Sequence, residues 1–444
     1  MAAGYFHRGM SHRMATCELF IRRLPLARRF LVALGIDAAL HYIEHLRFSE
    51  EDIAFLRSVP AMRDAMTDDF AAYLRDFSFT GDVWAVGEGT IAFENEPLLR
   101  VRAPIIQAQI LETFLLSVVN HATMVGSKAA RMVIAADGRR AVEFGTRRTH
   151  PDAAIEAARD AYAVGFAGTS NVEASRRFGI PLYGTAAHMW TMAHATEEEA
   201  FRGYFAVFPK SSILLIDTYD TVRGARRAVQ VARDQLAGVR LDSGDLGALA
   251  KEVRAVLDAE GAPNAKIVAS GDLNEHSVAA LVASGAPIDT FGIGTELVCS
   301  VDAPSLGGVY KLVEIDEGPG TPVRPIAKFS VGKGTFPGAH QVLRVVDRGV
   351  YQEDVVILDH EDSPTLATSD QQVIGLLDTA ITAGRRVRPA ASLDAVRAHV
   401  ARGLASLPPA VRSLEPAVPG QPAYSVRPSA SLAALIERLR VELV

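Results

Sequence analysis

Clusters of glycine and polar residues recur through the middle of the chain, and each one follows a short apolar run. The clusters are GTRRTH at 145–150, GTAAH at 184–188, DTYDT at 217–221, RLDSGD at 240–245, SGDLNE at 270–275 and GIGT at 292–295. Glycine lets a backbone approach a ligand closely, while guanidinium, carboxylate and hydroxyl groups bind charged or sugar-like ligands. The pattern predicts a pocket for a small charged molecule, built from several loops.

Two of these clusters have the composition of phosphate-binding loops. The first contains Gly271 and Asp272, and the second contains Gly292, Gly294 and Thr295. Successive backbone N–H groups in such loops form a concavity that binds anions, although a lone GxG pattern also marks an ordinary tight turn. Because the two loops occur as a pair after successive apolar runs, we favour a phosphate site.

Charged residues in the same clusters suit anionic partners. Arg147, Arg148 and Arg240 fit bidentate contacts to phosphate or carboxylate, with structural ion pairs as the alternative. The DSGD tetrapeptide at 242–245 offers backbone N–H groups to an anion, and its carboxylates, including Asp242, suit a sugar hydroxyl or Mg²⁺. The alternative for this tetrapeptide is a turn in which Asp245 caps the following helix.

One histidine is placed for catalysis. His188 ends the GTAAH cluster, and Asp217 ends the next apolar run. A carboxylate that orients an imidazole allows the ring to act as a base or a nucleophile. The order of these residues predicts a catalytic pair of His188 and Asp217, with a purely structural histidine as the alternative.

These clusters need a scaffold that brings their loops together. Apolar runs at 141–144, 180–184, 213–217, 238–242, 266–270 and 289–294 alternate with stretches of helical periodicity at 151–163, 197–207, 221–234, 246–258 and 275–284. This alternation predicts an α/β fold with a parallel sheet, and six such units favour a barrel over an open sheet. In a parallel barrel the loops that follow the strands meet at one end, where ligands bind.

Composition narrows the class of protein. The 444 residues include 46 basic and 52 acidic side chains, for a net charge of −6, which argues against a nucleic-acid-binding or anionic-membrane surface. The two cysteines, Cys17 and Cys299, cannot form a disulfide framework or a four-thiolate metal site. Without a signal-peptide pattern or an apolar run of membrane-spanning length, we expect a soluble cytoplasmic protein that does not contact a membrane.

The Pro- and Ser-rich stretch 407–428 predicts an extended segment.

Taken together and in this order, the motifs resemble those of nicotinate phosphoribosyltransferases. The likeness runs from about residue 5 to residue 345 and rests on RRLP (22–25), EFGTRR (143–148), GFAGTSN (165–171), GTAAH (184–188), LLIDTYDT (214–221), VRLDSGDL (239–246), SGDLNE (270–275), FGIGTELV (291–298), VYKLVE (309–314) and the KxSxxK…PG run (328–338).

The resemblance implies a two-lobed fold and a particular assembly. Residues 126–325 would form an irregular α/β barrel, while residues 1–125 together with 326–444 would form a second α+β lobe. It also implies a homodimer with active sites at the subunit interface.

The resemblance further implies an activity. Members of this family transfer the phosphoribosyl group of phosphoribosyl pyrophosphate to nicotinate, which yields nicotinate mononucleotide and pyrophosphate in NAD biosynthesis. The reaction is coupled to ATP through a phosphorylated histidine and requires Mg²⁺. The family pattern places that histidine at His188 and its partner at Asp217; it leaves the metal ligands unassigned.

The same resemblance assigns the substrate contacts. For nicotinate it points to Phe144 as the aromatic ring that stacks on the base, to Thr185 and Arg240, and to Ser170, which stands where nicotinamide-using relatives carry Asp. An Asp would repel the carboxylate of nicotinate, so Ser170 favours the acid. Arg147 matches a position between the base and the phosphoribosyl group, and Asp242 one that orients either the ribose or the base. The matching positions for the 5′-phosphate are Gly271, Gly292, Gly294 and Thr295, and Asp272 is a further substrate-binding position.

Two other functions stay open. The first is a sister phosphoribosyltransferase that uses quinolinate, nicotinamide or another heteroaromatic base. The second is a catalytically silent paralogue, because the family's Asp-x-Tyr segment, whose Tyr stacks on the base in the neighbouring subunit, is expected ahead of Met1.

Overall fold

The computed structural model describes residues 1–318, 321–330, 332–362, 370–416 and 423–443. The chain folds into two compact units. The first unit combines Met1–Met124 with Ser305–Val444, and the second is Val125–Pro304. From the sequence, the return to the first lobe was expected at residue 326. In the structure it comes at residue 305, because the strand Gly308–Asp316 pairs antiparallel with Met14–Ile21 of the first unit.

The strands are distributed over both units. In chain order they are β1 Met14–Ile21, β2 Leu31–Ala33, β3 Asp82–Ala85, β4 Thr90–Ala92, β5 Pro97–Pro104, β6 Arg140–Glu143, β7 Gly168–Thr169, β8 Ile213–Leu215, β9 Gly238–Leu241, β10 Lys266–Ala269, β11 Thr290–Ile293, β12 Gly308–Asp316, β13 Arg324–Pro325, β14 His340–Asp347, β15 Val350–Leu358, β16 Gln371–Gly375, β17 Asp378–Thr382, β18 Arg385–Arg386 and β19 Ser425–Pro428.

The helices alternate with strands most regularly in the second unit. In chain order they are α1 Ala2–His7, α2 Ile36–His45, α3 Glu50–Ser58, α4 Asp68–Arg75, α5 Ile105–Ala136, α6 Pro151–Val164, α7 Val172–Phe178, α8 His188–Met192, α9 Glu197–Val207, α10 Thr221–Ala232, α11 Leu246–Ala259, α12 Glu275–Ala283, α13 Thr295–Val298, α14 Leu393–Ala405, α15 Pro409–Arg412 and α16 Ala430–Leu443.

The second unit is built on a parallel sheet with the strand order β7-β6-β11-β10-β9-β8. Each neighbouring pair is parallel. Because β11, the last strand of this unit, pairs with β6, the first, the strands follow a barrel's cyclic order, and the sheet is open between β7 and β8. The predicted α/β class with an irregular barrel is confirmed.

One predicted strand is wrong. Residues 180–184 form no strand; Leu182 makes only an isolated bridge to Thr169. At this bridge the backbone N–H of Thr169 donates to the Pro181 carbonyl (3.1 Å), and the Tyr183 N–H donates to the Thr169 carbonyl (2.9 Å). Pro181 itself has no N–H to donate to a sheet. The paired strand is instead the short β7, whose two residues carry no detectable periodicity.

Polar residues after the strands begin the helices that follow. Asp220 accepts from the backbone N–H of Arg223 at the start of α10. Asp245 accepts from two backbone N–H groups at the start of α11, and Asn274 forms a capping box with Ser277 at the start of α12. These three residues of the polar clusters therefore stabilise the helices, since capping side chains satisfy N–H donors that have no partner within the helix.

The first unit is an α+β assembly around sheets whose strand pairs are antiparallel, apart from the parallel pair β15 and β19. Its largest sheet has the order β13-β12-β1-β5-β3-β17-β18, and a smaller one has the order β16-β14-β15-β19. Strand β1 is nearly continuously buried because β12 and β5 flank it on either side. Of the predicted extended stretch 407–428, residues 417–422 lie outside the described residues, and 409–412 form helix α15. In the described part of the chain, no helix is long and apolar enough to cross a membrane.

Candidate active site

The polar loops of the second unit meet at the carboxyl edge of the parallel sheet. Register pairs Leu241 of β9 with Ala269 of β10, and Ile293 of β11 with Glu143 of β6. Because the strands are parallel and end at similar levels, the residues that follow them share one edge. The candidate site lies at this edge.

Arg240 is the central cation of the site. Its Nε donates to Ser270 Oγ (2.8 Å), its Nη1 to Thr185 Oγ1 (2.8 Å) and its Nη2 to Asp242 Oδ1 (2.6 Å). Only 15% of its side chain is exposed. The planar fork of the guanidinium can hold three partners in fixed directions, so this one residue ties together three loops.

Asp242 is held as a carboxylate. Its Oδ1 also accepts from Ser270 Oγ (2.5 Å). Partial burial raises the pKa of Asp242, but the Ser270 hydrogen bond and the Arg240 charge outweigh burial and bring the pKa below its usual value. The negative charge therefore persists beside the Arg240 guanidinium.

Phe144 lies over Gly292 and beside Arg240. A Cβ at position 292 would stand 2.6 Å from Cδ2 of the Phe144 ring, which is closer than atoms can approach. The Arg240 Cζ lies 5.9 Å from the centroid of the same ring. Glycine at 292 is thus what allows the ring to lie against the end of β11. The next glycine, Gly294, packs beside the backbone of Phe144, with 3.1 Å between its ideal Cβ position and the Phe144 carbonyl oxygen.

The loop after β10 has a constrained backbone. Gly271 adopts φ +102°, and a Cβ there would lie 2.3 Å from the carbonyl oxygen of Asp242. Asp272 follows with φ +45° and an exposed side chain. Only glycine fits this close approach between the loops after β9 and β10, because a side chain at 271 would clash and strain the backbone.

The predicted pairing of His188 with Asp217 is wrong. His188 Nδ1 lies 3.2 Å from Thr218 Oγ1, and its Nε2 lies 3.7 Å from Asp242 Oδ2. Asp217 Oδ2 instead accepts from the backbone N–H of Asp242 (2.8 Å) and from Ser243 Oγ (2.7 Å). The Asp217 carboxylate faces the loop after β9, so the residue next to it, Thr218, meets the imidazole.

Other predicted residues stand at the same edge without contacting this network. Arg147 is exposed in a 3-10 turn, Thr146–Arg148, and no ion pair joins it to another described residue. Ser170 is half-buried directly after β7, where its backbone N–H donates to the Glu143 carbonyl (3.0 Å). Thr295 is the half-buried first residue of α13.

Comparisons with known proteins identify the family. The family model for the nicotinate phosphoribosyltransferase N-terminal domain matches residues 1–120, and the model for the nicotinate phosphoribosyltransferase family matches residues 140–319. Nicotinate phosphoribosyltransferase pncB2 of Mycobacterium tuberculosis is 42% identical over 94% of this chain and 87% of its own length. The chain belongs to the nicotinate phosphoribosyltransferase family.

Further relatives agree with this assignment. The nicotinate phosphoribosyltransferase of Bacillus subtilis is 41% identical over 84% of this chain and 75% of its own length. The crystal structure of human nicotinic acid phosphoribosyltransferase superposes with a TM-score of 0.83 at 28% identity, covering 99% of this chain and 98% of the human chain. The fold inferred for the family is therefore the fold observed.

One buried acid of the site was missed by sequence reasoning. Glu143 ends β6 and is fully buried; its Oε2 accepts from Thr169 Oγ1 (2.5 Å), and its Oε1 accepts from the Gly145 N–H. Burial raises the pKa of Glu143, although both hydrogen bonds oppose this. Through these two hydrogen bonds, Glu143 connects the loop that contains Phe144 with Thr169 of β7, the residue before Ser170. A lone acid in the apolar AVEF run was the available signal.

The site contains one buried carboxylate oxygen without a hydrogen-bond partner among the described residues. Among the described residues, no group of three or more His, Cys, Asp or Glu side chains is arranged to hold a metal ion. Asp217 Oδ1 is nevertheless buried and has no hydrogen-bond partner in the described part of the chain. Mg²⁺ commonly binds one or two carboxylates together with substrate phosphates, so this oxygen fits such an ion.

Proposed function

We propose that this chain transfers the phosphoribosyl group of phosphoribosyl pyrophosphate to nicotinate, giving nicotinate mononucleotide and pyrophosphate. The observation that carries this proposal is the guanidinium of Arg240, held by three hydrogen bonds beside the Phe144 ring. An aromatic face and an adjacent fixed cation match an aromatic carboxylate. Family membership and relatives named for this activity support the same substrate.

Nicotinate binding draws on the residues around Arg240. The pyridine ring stacks on Phe144, while Arg240 and Thr185 bind the carboxylate. Ser170, directly after β7, adds no negative charge to the pocket. An acid at this position would oppose the substrate carboxylate, so Ser170 favours nicotinate over nicotinamide.

The phosphoribosyl group occupies the loops after β10 and β11. Backbone N–H groups around Gly271, Asp272, Gly292, Gly294 and Thr295 bind the 5′-phosphate, and Arg147 reaches the same substrate. The pyridine nitrogen forms a bond to the anomeric carbon, and the bond from that carbon to pyrophosphate breaks with its electron pair on pyrophosphate. The Asp242 carboxylate stabilises the positive charge that develops on the ribose.

His188 is the residue that couples the reaction to ATP. Its Nδ1 lies at hydrogen-bond distance from Thr218 Oγ1 (3.2 Å), so an Nδ1–H that donates to this hydroxyl leaves the Nε2 lone pair available. Nε2 bonds to the γ-phosphorus of ATP as the bond to the β-phosphate oxygen breaks and ADP leaves. The carboxylate of Asp217 acts indirectly, by holding the loop that carries Asp242.

Mg²⁺ is the metal we propose for this reaction. Asp217 Oδ1 and the Asp242 carboxylate would hold it, and when bound it neutralises charge on the pyrophosphate group. Asp217 thus has two uses in the site: one oxygen fixes the backbone of Asp242, and the other, which has no hydrogen-bond partner among the described residues, would hold the ion.

A second copy of the chain completes the assembly, as the resemblance implies. Large apolar side chains on α8, the helix that begins at His188, are exposed, including Met189 (82%) and Met192 (66%). Such a patch is typical of a protein interface. Sedimentation equilibrium should therefore give twice the chain mass. We place the protein in the cytoplasm, where its two free cysteines would stay reduced.

The decisive assay is nicotinate-dependent release of pyrophosphate from phosphoribosyl pyrophosphate with Mg²⁺, with and without ATP. We expect release with nicotinate and stimulation by ATP. The His188→Ala variant should lose the ATP stimulation, because no nucleophile for the γ-phosphate remains. Full stimulation in this variant would refute the role of His188.

A panel of bases separates the remaining alternatives. Turnover of quinolinate or nicotinamide with nicotinate inert would identify a sister transferase. Calorimetric titration with phosphoribosyl pyrophosphate tests the silent-paralogue alternative, because an absence of binding would leave the site without its substrate.

A further inference from the structure

A buried cluster of charged side chains lies in the second unit, outside the candidate site. Lys128 of α5 is 2% exposed, and its Nζ lies 2.6 Å from Glu275 Oε2, 3.0 Å from Asp302 Oδ1 and 3.6 Å from Glu296 Oε2. Arg131, one turn further along α5, donates from Nε to Glu275 Oε1 (2.9 Å). We refer to these five residues as the Lys128 cluster.

The acids of the Lys128 cluster belong to the chain segments that leave the two phosphate loops. Glu275 is the first residue of α12, three residues after Asp272. Glu296 directly follows Thr295 in α13, and Asp302 lies in the turn after that helix. One ammonium group therefore bridges the ends of both loops, whose strands β10 and β11 are hydrogen-bonded neighbours.

The energetics of such a cluster indicate a need for precise position. Moving charges out of water costs several kcal/mol per ion, and well-packed apolar residues often stabilise a fold as well or better. Burial raises the pKa of Glu275, but the charge and hydrogen bond of Lys128 and the hydrogen bond of Arg131 outweigh it and bring the pKa below its usual value, so Glu275 stays ionised. The ammonium of Lys128 restricts these acids through a hydrogen bond to Glu275 and through ion pairs to Asp302 and Glu296, which apolar packing would not supply.

We propose that Lys128 is a positioning residue for phosphate binding. Its ammonium sets the separation of the Gly271–Asp272 loop and the segment Gly292–Thr295, which runs from the end of β11 to the start of α13, so that the N–H groups of both segments converge on one phosphate. Lys128 does not contact the ligand itself; it acts through Glu275 and Glu296. The identity of the phosphate as that of phosphoribosyl pyrophosphate rests on the proposed function.

The test is the Lys128→Met variant, which keeps most of the unbranched side chain and removes its charge. We expect the KM for phosphoribosyl pyrophosphate to rise about tenfold or more, because a displacement of about 1 Å in a positioned group can cost ~100-fold. The KM for nicotinate should rise less than the KM for phosphoribosyl pyrophosphate, since Arg240 on β9 has no contact with the Lys128 cluster. Lys128→Arg, which restores the charge, should recover part of the loss.

The matched control is Arg344→Met in the first unit. Arg344 is also 2% exposed and pairs with Asp354 at 2.5 Å, so its loss should lower the melting temperature comparably. Its KM for phosphoribosyl pyrophosphate should match the wild type. An equal rise in this KM in both variants would overturn the proposal, because general destabilisation would then explain it.

Two further measurements keep the proposal testable. If Lys128→Met does not fold, Glu296→Gln removes only the most distant of the three carboxylates, and we expect it to raise the same KM about threefold; an unchanged KM overturns the proposal. If the wild-type chain turns over no nicotinate, the proposed function fails, and calorimetric binding of phosphoribosyl pyrophosphate to wild type and Lys128→Met decides this inference. Equal Kd values, or no binding to the wild type, would overturn it.

Discussion

The Arg240→Lys substitution tests the geometry of the site more sharply than loss of charge would. Lysine keeps the positive charge at the end of β9, but it replaces a planar fork by a single ammonium group. In the wild type, Arg240 donates to Ser270, Thr185 and Asp242 from three different nitrogen atoms. A lysine at this position can keep the contact with Asp242 and loses the two hydroxyl contacts.

The magnitude follows from those two hydrogen bonds. Each joins a charged donor to a hydroxyl in a region where only 15% of the Arg240 side chain is exposed. Hydrogen bonds to charged groups contribute about 1.5–3 kcal/mol, so the lower value for both bonds amounts to ~3 kcal/mol. These two bonds affect nicotinate by fixing the guanidinium in place, and because a displacement of about 1 Å in a positioned group can cost ~100-fold, we expect kcat/KM for nicotinate to fall about 100-fold.

The assay is release of pyrophosphate at saturating phosphoribosyl pyrophosphate, with nicotinate varied. The matched control is Arg254→Lys. Arg254 of α11 also makes three hydrogen bonds, to Asp258 Oδ1 (2.8 Å), Ala265 O (2.7 Å) and Ala262 O (3.1 Å), and is 21% exposed. Ala265 precedes β10, at the sheet edge opposite the candidate site. This control should lose stability and keep wild-type kcat/KM.

Two results would refute this reasoning. Retention of kcat/KM within about threefold in Arg240→Lys would mean that charge alone suffices and that the fork has no role. An equal loss in Arg254→Lys would mean that activity follows stability rather than the contacts of Arg240.

Two further predictions follow. In Gly292→Ala, the new methyl group would displace the Phe144 ring, which lies 2.6 Å from the ideal Cβ position. Because the pyridine ring would then stack less well, the KM for nicotinate should rise about two- to tenfold. An unchanged KM would contradict stacking on this ring. Glu96 is fully buried near Asp354, and its pKa is raised well above the usual value by burial first and then by the Asp354 charge. A raised pKa stabilises the fold fully below the unfolded pKa of about 4.3, and this contribution is lost as the pH rises toward the folded pKa. Glu96→Gln, which mimics the protonated acid, should therefore match wild type near pH 4 and melt roughly 2 °C or more higher at pH 8; a constant difference across this range would contradict it.

Local patterns were enough to predict the arrangement of the strand ends. Helical periodicity between short apolar runs indicated a parallel α/β unit, and in such a unit the loops after the strands meet at one edge. The predicted helix at 197–207 coincides with α9. Gly271 and Gly292 were recognisable by type, since positions of close approach between loops favour glycine.

Partners that depend on side-chain direction could not be predicted in this way. His188 contacts Thr218 rather than the adjacent Asp217, because one step along the chain changes which side chain faces the ring. The same limit applies to Glu143, which is important to the site because its carboxylate accepts from Thr169 and from Gly145. Thr169 lies far from Glu143 in the sequence, and no local pattern marks Gly145 as its partner.

The sequence by itself determined the family, the order of the strand–helix units and the residue types available at the site. Those properties depend on local spacing and on motif order, both of which are visible in one dimension. The tertiary structure decided which groups meet: the three-way contact of Arg240, the ionised state of Asp242 and the burial of Lys128 among three acids. Hydrogen bonds and charge interactions change over distances of about 1 Å, and only the packed fold sets distances at that scale.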